Sequence, residues 1–397
     1  MNMDPRQNSQ FERGDADTKR SRPFLAAFLF LIVAFVLIFA AYLRNYAPDP
    51  EANINLPVGA GADMPGIITP DYDEDVFAGM KQVKGRYNFL LVGLDRVSRS
   101  TDIMMIVSYD VKSGQINVVQ IPRDTYLTQD GIRGAFRINS YYSVYYNYAN
   151  RNDFDDPEMS AITSLAALIE HSLRVRINYC AVVDLEGFVN IVDAVGGVYL
   201  DVPVDMFYED PYQDLYIDLK AGYQHLDGEH AMQFVRFRKG YVQQDIGRQD
   251  ALKNFMAAFM TQVKENLSVT TVVNVAAEVM KNMRTNISAA DFVYFGKSAL
   301  SVDLSGVKMM TLPGEAVTVD GASVYVLCRD DTVAALNKYL NVFDTDITGE
   351  DFDPDRVLCK EGDEASLKIY EKPLGSVTNP EYNAEDVNDN PIDIPRQ

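Results

Sequence analysis

Arginine and aspartate residues recur in four short segments of this chain, and their chemistry suits phosphate. Guanidinium groups bind phosphate oxygens in a planar, bidentate manner, and paired carboxylates bind a hard cation such as Mg²⁺. The pattern therefore predicts a site that handles a phosphorylated substrate together with a divalent metal ion. The arginines are Arg96, Arg99, Arg123, Arg137, Arg236, Arg238 and Arg248, and the aspartates are Asp95, Asp102, Asp124 and Asp245.

The first segment carries the two candidate metal ligands. Asp95 ends one apolar run and Asp102 begins the next, so that adjacent strand ends can bring both carboxylates to one cation. Arg96 and Arg99 lie in the loop between them. The alternative for this segment alone is a charged surface loop.

A proline shapes the second segment. Pro122 follows an apolar run and forces a turn, which places Arg123 and Asp124 at a sheet edge. Asp124 then has either a catalytic role or a structural ion pair with an arginine.

The last segment joins two predicted helices. Arg236 and Arg238 are two residues apart, so both reach one site only if their helix ends there, and Gly240 supports an ending. Asp245 and Arg248 follow at the start of the next helix, where free N–H groups favour anions. Asp245 alternatively serves as a helix cap only.

An aromatic run follows Arg137 and Asn139. Packing in the core is the default interpretation of such a run, and a wall that faces a lipid or stacks on a sugar is the alternative. Its members are Tyr141, Tyr142, Tyr145, Tyr146 and Tyr148.

The elements that must position these residues alternate along the chain. Strands interleaved with helices predict an α/β fold, and a hairpin at Lys112 to Gly114 makes its sheet mixed. The predicted strands are Asn88–Gly93, Ile103–Asp110, Gln115–Ile121, Tyr179–Val183, Val198–Val204, Val307–Leu312 and Ser323–Leu327. The predicted helices are Met159–Leu173, Leu185–Ala194 with Asp184 as its cap, Gly228–Arg238, Arg248–Asn266, and stretches near Val272–Met283, Ala289–Leu300 and Thr332–Leu340.

A membrane anchor is predicted ahead of these elements. Phe24 to Leu43 is an uninterrupted apolar run of 20 residues, about 30 Å long as a helix, which matches the hydrocarbon core of a bilayer. Ala40 to Tyr42 is a poor signal-peptidase site, which favours an uncleaved anchor. Basic residues precede the run, so the N-terminus is expected in the cytoplasm and the rest outside, as in a single-pass type II protein. These basic residues are Arg6, Arg13, Lys19, Arg20 and Arg22.

Composition completes the predicted organisation of the 397 residues. We expect a cytoplasmic N-terminus (1–23), a transmembrane helix (24–43), an extracellular stalk (44–80), a catalytic domain (81–343) and an acidic, largely disordered tail (344–397). The net charge of −21 argues against nucleic acid as a partner.

The number and spacing of the cysteine and histidine residues limit the chemistry that this chain can perform. Cys180 is expected to be a buried thiol, and a Cys328–Cys359 disulfide is an option outside the cell. The three histidines show no metal-ligand spacing, so neither zinc chemistry nor a Ser-His-Asp triad is expected.

Seven motifs in order carry a resemblance, and together they cover about Tyr87 to Val263. They resemble the LytR–CpsA–Psr family, whose members are anchored in the membrane of cells with a Gram-positive-type wall. The motifs are NFLLVGLD (88–95), TDIMMIVS (101–108), IPRDTY (121–126), RINS (137–140), VDLEGF (183–188), DAVGGV (193–198), and HLDGEHA (225–231) with FVRFR (234–238).

The resemblance implies a fold and an activity. The implied fold is a three-layer α/β/α sandwich with a central mixed sheet and an apolar tunnel for a polyprenyl tail. The implied activity transfers an anionic glycopolymer, such as teichoic acid or capsule, from a polyprenyl-pyrophosphate carrier to a hydroxyl of peptidoglycan. The partners are therefore the lipid-linked glycan, peptidoglycan and the membrane.

The resemblance also implies roles by position. Asp95 and Asp102 match Mg²⁺ ligands, with Mn²⁺ as a possible substitute. Pyrophosphate-binding arginines match Arg123, Arg236, Arg238 and Arg248, and Asp245 matches a nearby motif aspartate. Asp124 or Asp245 is a candidate base for the sugar hydroxyl, and Arg99, Arg137 and Asn139 are predicted to help to bind the ligand.

The chain departs from the family pattern in three places. The loop between Asp95 and Asp102 is short, and Ser100 stands where an arginine is usual, with Arg99 before it. Ala251 and Leu252 replace a common Arg-Gln pair. Two alternatives stay open, a non-catalytic scaffold that binds polyprenyl phosphate and a polyprenyl pyrophosphate phosphatase. The short cytoplasmic segment argues against a transcription attenuator.

Overall fold

The computed structural model describes residues 46–48, 77, 79–95, 99–127, 137–210, 215–237, 244–266, 277–299, 302–303, 306–319, 321–349 and 371–373, with the backbone alone for 244–250 and 371–373. The strands are β1 (Arg86–Leu94), β2 (Thr101–Asp110), β3 (Gln115–Gln120), β4 (Tyr179–Asp184), β5 (Val198–Val202), β6 (Met206–Asp210), β7 (Leu215–Leu219), β8 (Gly222–Leu226), β9 (Met283–Thr285), β10 (Lys308–Thr311), β11 (Gly314–Val319), β12 (Ala322–Leu327) and β13 (Glu371–Pro373). The helices are α1 (Ile138–Arg151), α2 (Pro157–Leu173), α3 (Leu185–Ala194), α4 (Gly228–Arg236), α5 (Gln244–Asn266), α6 (Ala289–Ala299) and α7 (Arg329–Tyr339).

A mixed sheet occupies the centre of the fold. Among the described residues it contains seven strands in the order β13-β10-β3-β2-β1-β4-β9. The pairs β1–β2 and β2–β3 are antiparallel, whereas β1–β4 and β3–β10 are parallel. The prediction of a mixed central sheet with flanking helices is thus confirmed.

Apolar side chains fill both faces of this sheet. Met104 and Ile106 of β2 join a first cluster with α1, α2 and α7, and Met105 between them joins a second cluster with α4 and α5. This alternation follows from the two-residue repeat of a strand. A strand that is apolar at nearly every position is therefore buried on both faces.

A long hairpin arm, residues 198–210 and 215–226, packs on the second cluster. Its strands pair as two antiparallel ribbons, β5 with β8 and β6 with β7. Between the ribbons, Asp205 Oδ1 accepts a hydrogen bond of 2.8 Å from the Ala221 amide. Alternate residues of β5 and β7 are buried, as expected for strands with one face on a core.

Glycine sets the entry to this arm. Gly196 and Gly197 follow α3 with φ of 89° and 76°, the left-handed region that glycine adopts without strain. A Cβ on Gly197 would also collide with the His225 ring. The predicted stop of α3 at this glycine pair is confirmed, as is its cap, because Asp184 accepts a hydrogen bond of 2.8 Å from the Gly187 amide.

Several element predictions need correction. The helix α1 and the strands β6–β9, β11 and β13 were not predicted, and α5 begins at Gln244 rather than at Arg248. The helix α4 ends at Arg236, since Phe237 is already extended. Residues 277–282 are helical, but Met283 begins β9.

The proposed ends of the chain are only partly described. Phe77 and Met80 pack against Val342 and Phe343, so contact with the domain begins ahead of residue 81. Within the described ranges, we find no helix with the length and apolar character that crossing a bilayer requires. The predicted anchor (24–43), most of the predicted disordered tail (350–370 and 374–397) and Cys359 lie outside those ranges. The first residues of that predicted tail belong to the domain instead, since Ile347 is buried in the first cluster. Cys180 is buried, as predicted.

Candidate functional site

The two candidate metal ligands flank a tight connection between β1 and β2. The Asp95 amide donates a hydrogen bond of 3.0 Å to the Ser100 carbonyl, which closes the loop. Leu94 pairs with Thr101 and Gly93 with Ile103, so Asp102 is the extra residue of a β-bulge. Bulges redirect a side chain relative to the strand's regular alternation. Both carboxylates thus lie at the same end of two adjacent strands.

An ion-paired group joins this end of β2 to the turn after β3. We define the arginine–aspartate cluster as Asp102, Arg123, Asp124 and Arg137. Arg123 Nη1 donates to Asp102 Oδ1 at 2.9 Å, and its Nε lies 3.6 Å from Asp124 Oδ2. Arg137 Nη1 lies 3.5 Å from Asp124 Oδ1. The sequence placed these four residues in three separate segments, and the structure brings them together.

Backbone hydrogen bonds hold the three segments in place. The Ile138 amide donates to the Thr125 carbonyl at 2.9 Å, and the Asn139 amide donates to the Arg123 carbonyl at 3.2 Å. Thr101 Oγ1 donates to the Asn139 carbonyl at 3.4 Å. The first turn of α1 therefore lies against the cluster, and the N-terminal end of a helix attracts anions. Asn139 contributes here through its backbone.

Part of the cluster's hydrogen-bonding capacity is unused. Arg137 Nε and Asp124 Oδ1 are buried and have no hydrogen-bond partner within the described residues. The contacts of Asp124 at 3.5 and 3.6 Å are also longer than an ordinary N–H···O hydrogen bond. A buried donor without a partner is costly, so Arg137 is well suited to an added acceptor such as a phosphate oxygen.

Arg99 packs on the same helix. Its backbone lies in the left-handed region with φ of 51°, and its guanidinium carbon lies 3.6 Å from the centroid of the Tyr146 ring. A cation over an aromatic face is electrostatically favourable. The sequence did not predict this role for Tyr146. The sequence did contain one indication that Tyr146 lies near the core residue Tyr142. The two tyrosines are four residues apart and so share a helix face.

The other tyrosines of the run mostly form core. Tyr141, Tyr142 and Tyr145 are buried in the first cluster, so core packing is confirmed for these three. Tyr141 donates its hydroxyl hydrogen to the Leu127 carbonyl at 2.9 Å. The Tyr142 hydroxyl is buried with no hydrogen-bond partner in the described part of the chain. Burial of this hydroxyl raises the pKa of Tyr142, and the negative charge of Glu158 raises it further.

The donor set fits a hard cation. Asp95 and Asp102 are half-buried and offer oxygen ligands only. Over the described residues, no group of three or more acidic, histidine or cysteine side chains is placed to hold a metal. Mg²⁺ is compatible with two carboxylates because it keeps several waters and binds substrate phosphates directly.

The remaining candidates are less completely described. Arg236 is the last residue of α4, and its Nη1 lies 3.9 Å from Met232 Sδ. Arg238 lies outside the described residues. Asp245 and Arg248 lie in the first two turns of α5, where only the backbone is described. Asp245 is the second helical residue and therefore does not occupy the cap position. That these four residues share a site with Arg123 stays a prediction.

Packing accounts for the apolar residues Ala251 and Leu252 at the positions where the family commonly has an Arg-Gln pair. Both residues are buried in the second cluster, where Phe255 also lies, one turn further along α5. They are core residues and contribute no polar group.

Comparison with known proteins identifies a family and several relatives of this chain. The LytR_cpsA_psr family matches residues 62–340. A Bacillus cereus protein named polyisoprenyl-teichoic acid–peptidoglycan teichoic acid transferase TagU is 33% identical over 205 residues, which are 51% of this chain and 60% of that protein. TagV of Bacillus subtilis, a transferase of the same description, is 26% identical over 233 residues, 55% of this chain and 56% of that protein. These matches therefore span little more than half of each relative.

Solved structures show the same fold. The crystal structure of B. subtilis TagV has a TM-score of 0.52 at 21% identity and covers 65% of this chain and 98% of that one. A structure described as TagT bound to LI-WTA has a TM-score of 0.51 at 20% identity, with 65% and 91% covered.

Proposed function

The chain belongs to the LytR_cpsA_psr family, and from this membership we propose that it is a phosphotransferase that attaches an anionic glycopolymer to peptidoglycan. The donor would be the polymer linked to a polyprenyl pyrophosphate, and the polymer would be of the teichoic acid class. Two relatives named as teichoic acid transferases support the choice of polymer.

The observation that carries the proposal is the arginine–aspartate cluster. Two arginines, held by carboxylates and by the first turn of α1, lie beside a bulge that carries Asp102. Arginines held in this way need little rearrangement to receive a pyrophosphate. Preorganised charge of this kind is the main source of catalysis in phosphoryl transfer.

The proposed reaction breaks the phosphoanhydride bond of the donor and forms a phosphate ester bond to the acceptor sugar. A sugar hydroxyl of peptidoglycan attacks the phosphorus next to the glycopolymer, the bond to the bridging oxygen breaks, and polyprenyl phosphate leaves. Arg123 and Arg137 would bind the pyrophosphate oxygens, with Arg236, Arg238 and Arg248 as further candidates. Stronger contact with the transition state than with the bound substrate would lower the barrier.

Two carboxylates are candidates for the proton of the attacking hydroxyl. Asp124 already contacts two arginines, which suits it to positioning them, and this leaves Asp245 as the better candidate for the base. Asp95 and Asp102 would hold Mg²⁺, which when bound supplies positive charge to the pyrophosphate oxygens.

We further propose that residues 24–43 anchor the chain in the cell membrane, with the family domain outside. The lipid-linked donor is confined to a membrane, and an anchor would keep the site close to it. Protease accessibility of the domain in intact cells tests this orientation, and protection of the domain until the cells are lysed would contradict it.

The transfer itself is tested with the full chain purified in detergent. The protein is mixed with Mg²⁺, a short synthetic saccharide on polyprenyl pyrophosphate, and peptidoglycan oligomers, and products are identified by mass spectrometry. We expect a glycan–phosphate–peptidoglycan product. Lipid bound without product would favour the scaffold, and phosphate release without peptidoglycan would favour the phosphatase.

A matched pair of variants assigns the site. Arg123→Ala removes a cluster residue, and we expect transfer to fall by about 100-fold or more. Arg86→Ala is the control, because Arg86 forms an ion pair of 3.3 Å with Asp110, at the other end of β1 and β2. Equal rates for the two variants would contradict the assignment.

A further inference from the structure

The outward surface of the hairpin arm is unusually aromatic. We define the outer face as the side of the arm that is opposite the second apolar cluster. Four large side chains on it are exposed: Tyr199 at 52%, Phe207 at 51%, Tyr216 at 55% and Tyr223 at 74%. A group of exposed aromatic residues on one element is typical of a binding surface, because aromatic side chains are enriched there relative to the rest of a protein surface.

The strand register sets a polar group opposite each ring. On the β6–β7 ribbon, Phe207 pairs with Asp218 and Tyr216 with Glu209. On the β5–β8 ribbon, Tyr223 pairs with Asp201, whereas Tyr199 pairs with His225. Directly opposite side chains lie about 5 Å apart on one face of a sheet. The outer face therefore alternates apolar rings with hydrogen-bond acceptors along both ribbons.

The rings at the β5–β8 end are held in a defined arrangement. The Tyr199 and Tyr223 centroids are 6.0 Å apart with an interplanar angle of 21°, and the His225 ring is 4.9 Å from Tyr199. His225 Nε2 lies 2.8 Å from the Gly196 carbonyl, which ties that ring to the end of α3. Two nearly parallel tyrosine rings thus form an ordered apolar platform.

Charge on the outer face limits the possible occupant. Asp201, Glu209 and Asp218 are exposed there. The nearby Lys220 is already 3.2 Å from Asp205. Such a face repels polyanions, including the phosphate-rich glycopolymer and an anionic lipid surface. An uncharged chain with flat apolar faces and many hydroxyl and amide donors is complementary to it.

We propose that the outer face binds the sugar backbone of the peptidoglycan acceptor, an inference that rests on the proposed function for the identity of the glycan. The C–H faces of N-acetylated hexosamines would stack on the tyrosine rings. Their hydroxyl and amide groups would donate to the carboxylates between the rings. A polymer is suited to a surface that repeats this pairing along its length.

The arm connects this surface to the helix that carries Arg236. The Asp218 amide donates to Gln233 Oε1 of α4 at 3.0 Å. Asp227, directly after β8, caps α4, which ends at Arg236. A glycan on the outer face would therefore be held on the element that leads to a candidate pyrophosphate-binding residue.

Binding is tested by sedimentation with insoluble peptidoglycan that has been stripped of its attached polymers. The full chain in detergent is compared with Tyr199→Ala/Tyr223→Ala, with Tyr199→Phe/Tyr223→Phe, and with Arg123→Ala. We expect the alanine pair to weaken retention by at least about tenfold, because aromatic contacts dominate such surfaces. The phenylalanine pair keeps the rings and should retain binding, which also controls for folding. Unchanged retention in the alanine pair would overturn the proposal.

Competition identifies the chemistry of the ligand. Oligomers of N-acetylglucosamine should displace the chain from peptidoglycan, whereas free teichoic acid should not. Displacement by teichoic acid alone would overturn the proposal in favour of a polyanion site. If sedimentation velocity instead shows a dimer that the alanine pair disrupts, with peptidoglycan retention intact, the face is a self-association surface.

The two proposals fail in different ways. Arg123→Ala should lose transfer but keep retention on peptidoglycan, whereas the tyrosine pair should lose retention. A wild-type chain that shows tyrosine-dependent retention but forms no product would refute the transferase and leave the glycan surface standing.

Discussion

Asp124 links the two best-described arginines of the site. It contacts Arg123 at 3.6 Å and Arg137 at 3.5 Å, and one of its oxygens is buried without a hydrogen bond among the described residues. A carboxylate in this position orients both guanidinium groups. Its main contribution would then be to the geometry of substrate binding rather than to proton transfer.

Asp124→Asn tests this role. We expect turnover to fall roughly 10- to 100-fold because misplaced arginines cost alignment. The unfolding free energy should fall by about 1–3 kcal/mol, because the buried oxygen of Asp124 loses its charged contact with Arg137. Turnover is measured across pH, and the shape of the profile should be retained. Loss of the acidic limb of that profile would instead identify Asp124 as the base.

Cys180 is a buried thiol on β4, and burial raises its pKa from the ordinary 9.0 to about 12. We expect peptide mapping after alkylation at pH 8 to show labelling at least about 100-fold slower in the folded chain than in urea, because the thiolate is the reactive form. Equal labelling rates would show that β4 opens readily.

The same shift makes stability depend on pH. Above pH 9 the unfolded thiol ionises while the folded one stays neutral, so this contribution is present below pH 9 and is lost as pH rises toward 12. Cys180→Ala should therefore make the decline of stability in this range shallower. Burial also raises the pKa of Tyr109, to about 12, so part of the decline should persist in the variant.

At the scale of elements, the stability of α4 depends on Asp227, the capping residue directly before its first turn. Asp227 accepts hydrogen bonds from the His230 amide at 2.9 Å and lies 2.7 Å from His230 Nδ1. The hydrogen bond from the His230 amide, more than the contact with the His230 ring, holds the pKa of Asp227 below its usual value. The stabilisation by this carboxylate is therefore present above the unfolded pKa and is lost as pH falls through the folded one.

Asp227→Ala should lower the unfolding free energy at pH 7 by about 0.5–2 kcal/mol, measured by urea denaturation. Asp227→Asn is the matched control, since asparagine caps a helix nearly as well. If both variants lose the same stability, the charge rather than the cap is what matters.

Much of the central architecture was predictable from the sequence, for identifiable reasons. β1–β4 have apolar, β-branched runs, and α2 and α3 have clear caps or helical spacing. The helix α1 was missed because its tyrosines favour strands, yet packing of Tyr141, Tyr142 and Tyr145 in the core prevails over that preference. Within the site, spacing along the chain could not show that Asp124 contacts both Arg123 and Arg137.

At the scale of the whole molecule, the chain returns to its own sheet after a long excursion. β13 pairs antiparallel with β10, with Met309 opposite Lys372, so residues far beyond α7 supply an edge strand. Part of the region predicted to be a tail therefore completes the sheet. An exposed edge would otherwise be left on β10.

Truncation after residue 349 should expose that edge. We expect backbone amides of residues 308–310 to exchange with deuterium at least about tenfold faster than in the full chain, because local opening becomes easier. Amides of β2, in the interior of the sheet, serve as the internal control. Unchanged exchange in β10 would show that β13 adds no protection.

The parallel pairing of β3 with β10 has a consequence for the newly made chain. Val119 pairs with Met310, so the ribosome must deliver nearly the whole domain before β3 acquires its second neighbour. During that interval the hairpin of β2 and β3 presents an open edge of apolar, β-rich sequence, the kind that recruits other unfinished chains. Folding of this domain should therefore depend on chaperone capacity on the side of the membrane where it folds, and a delay between the arrival of β3 and that of β10 should lower the yield through aggregation rather than through lost stability of the finished fold.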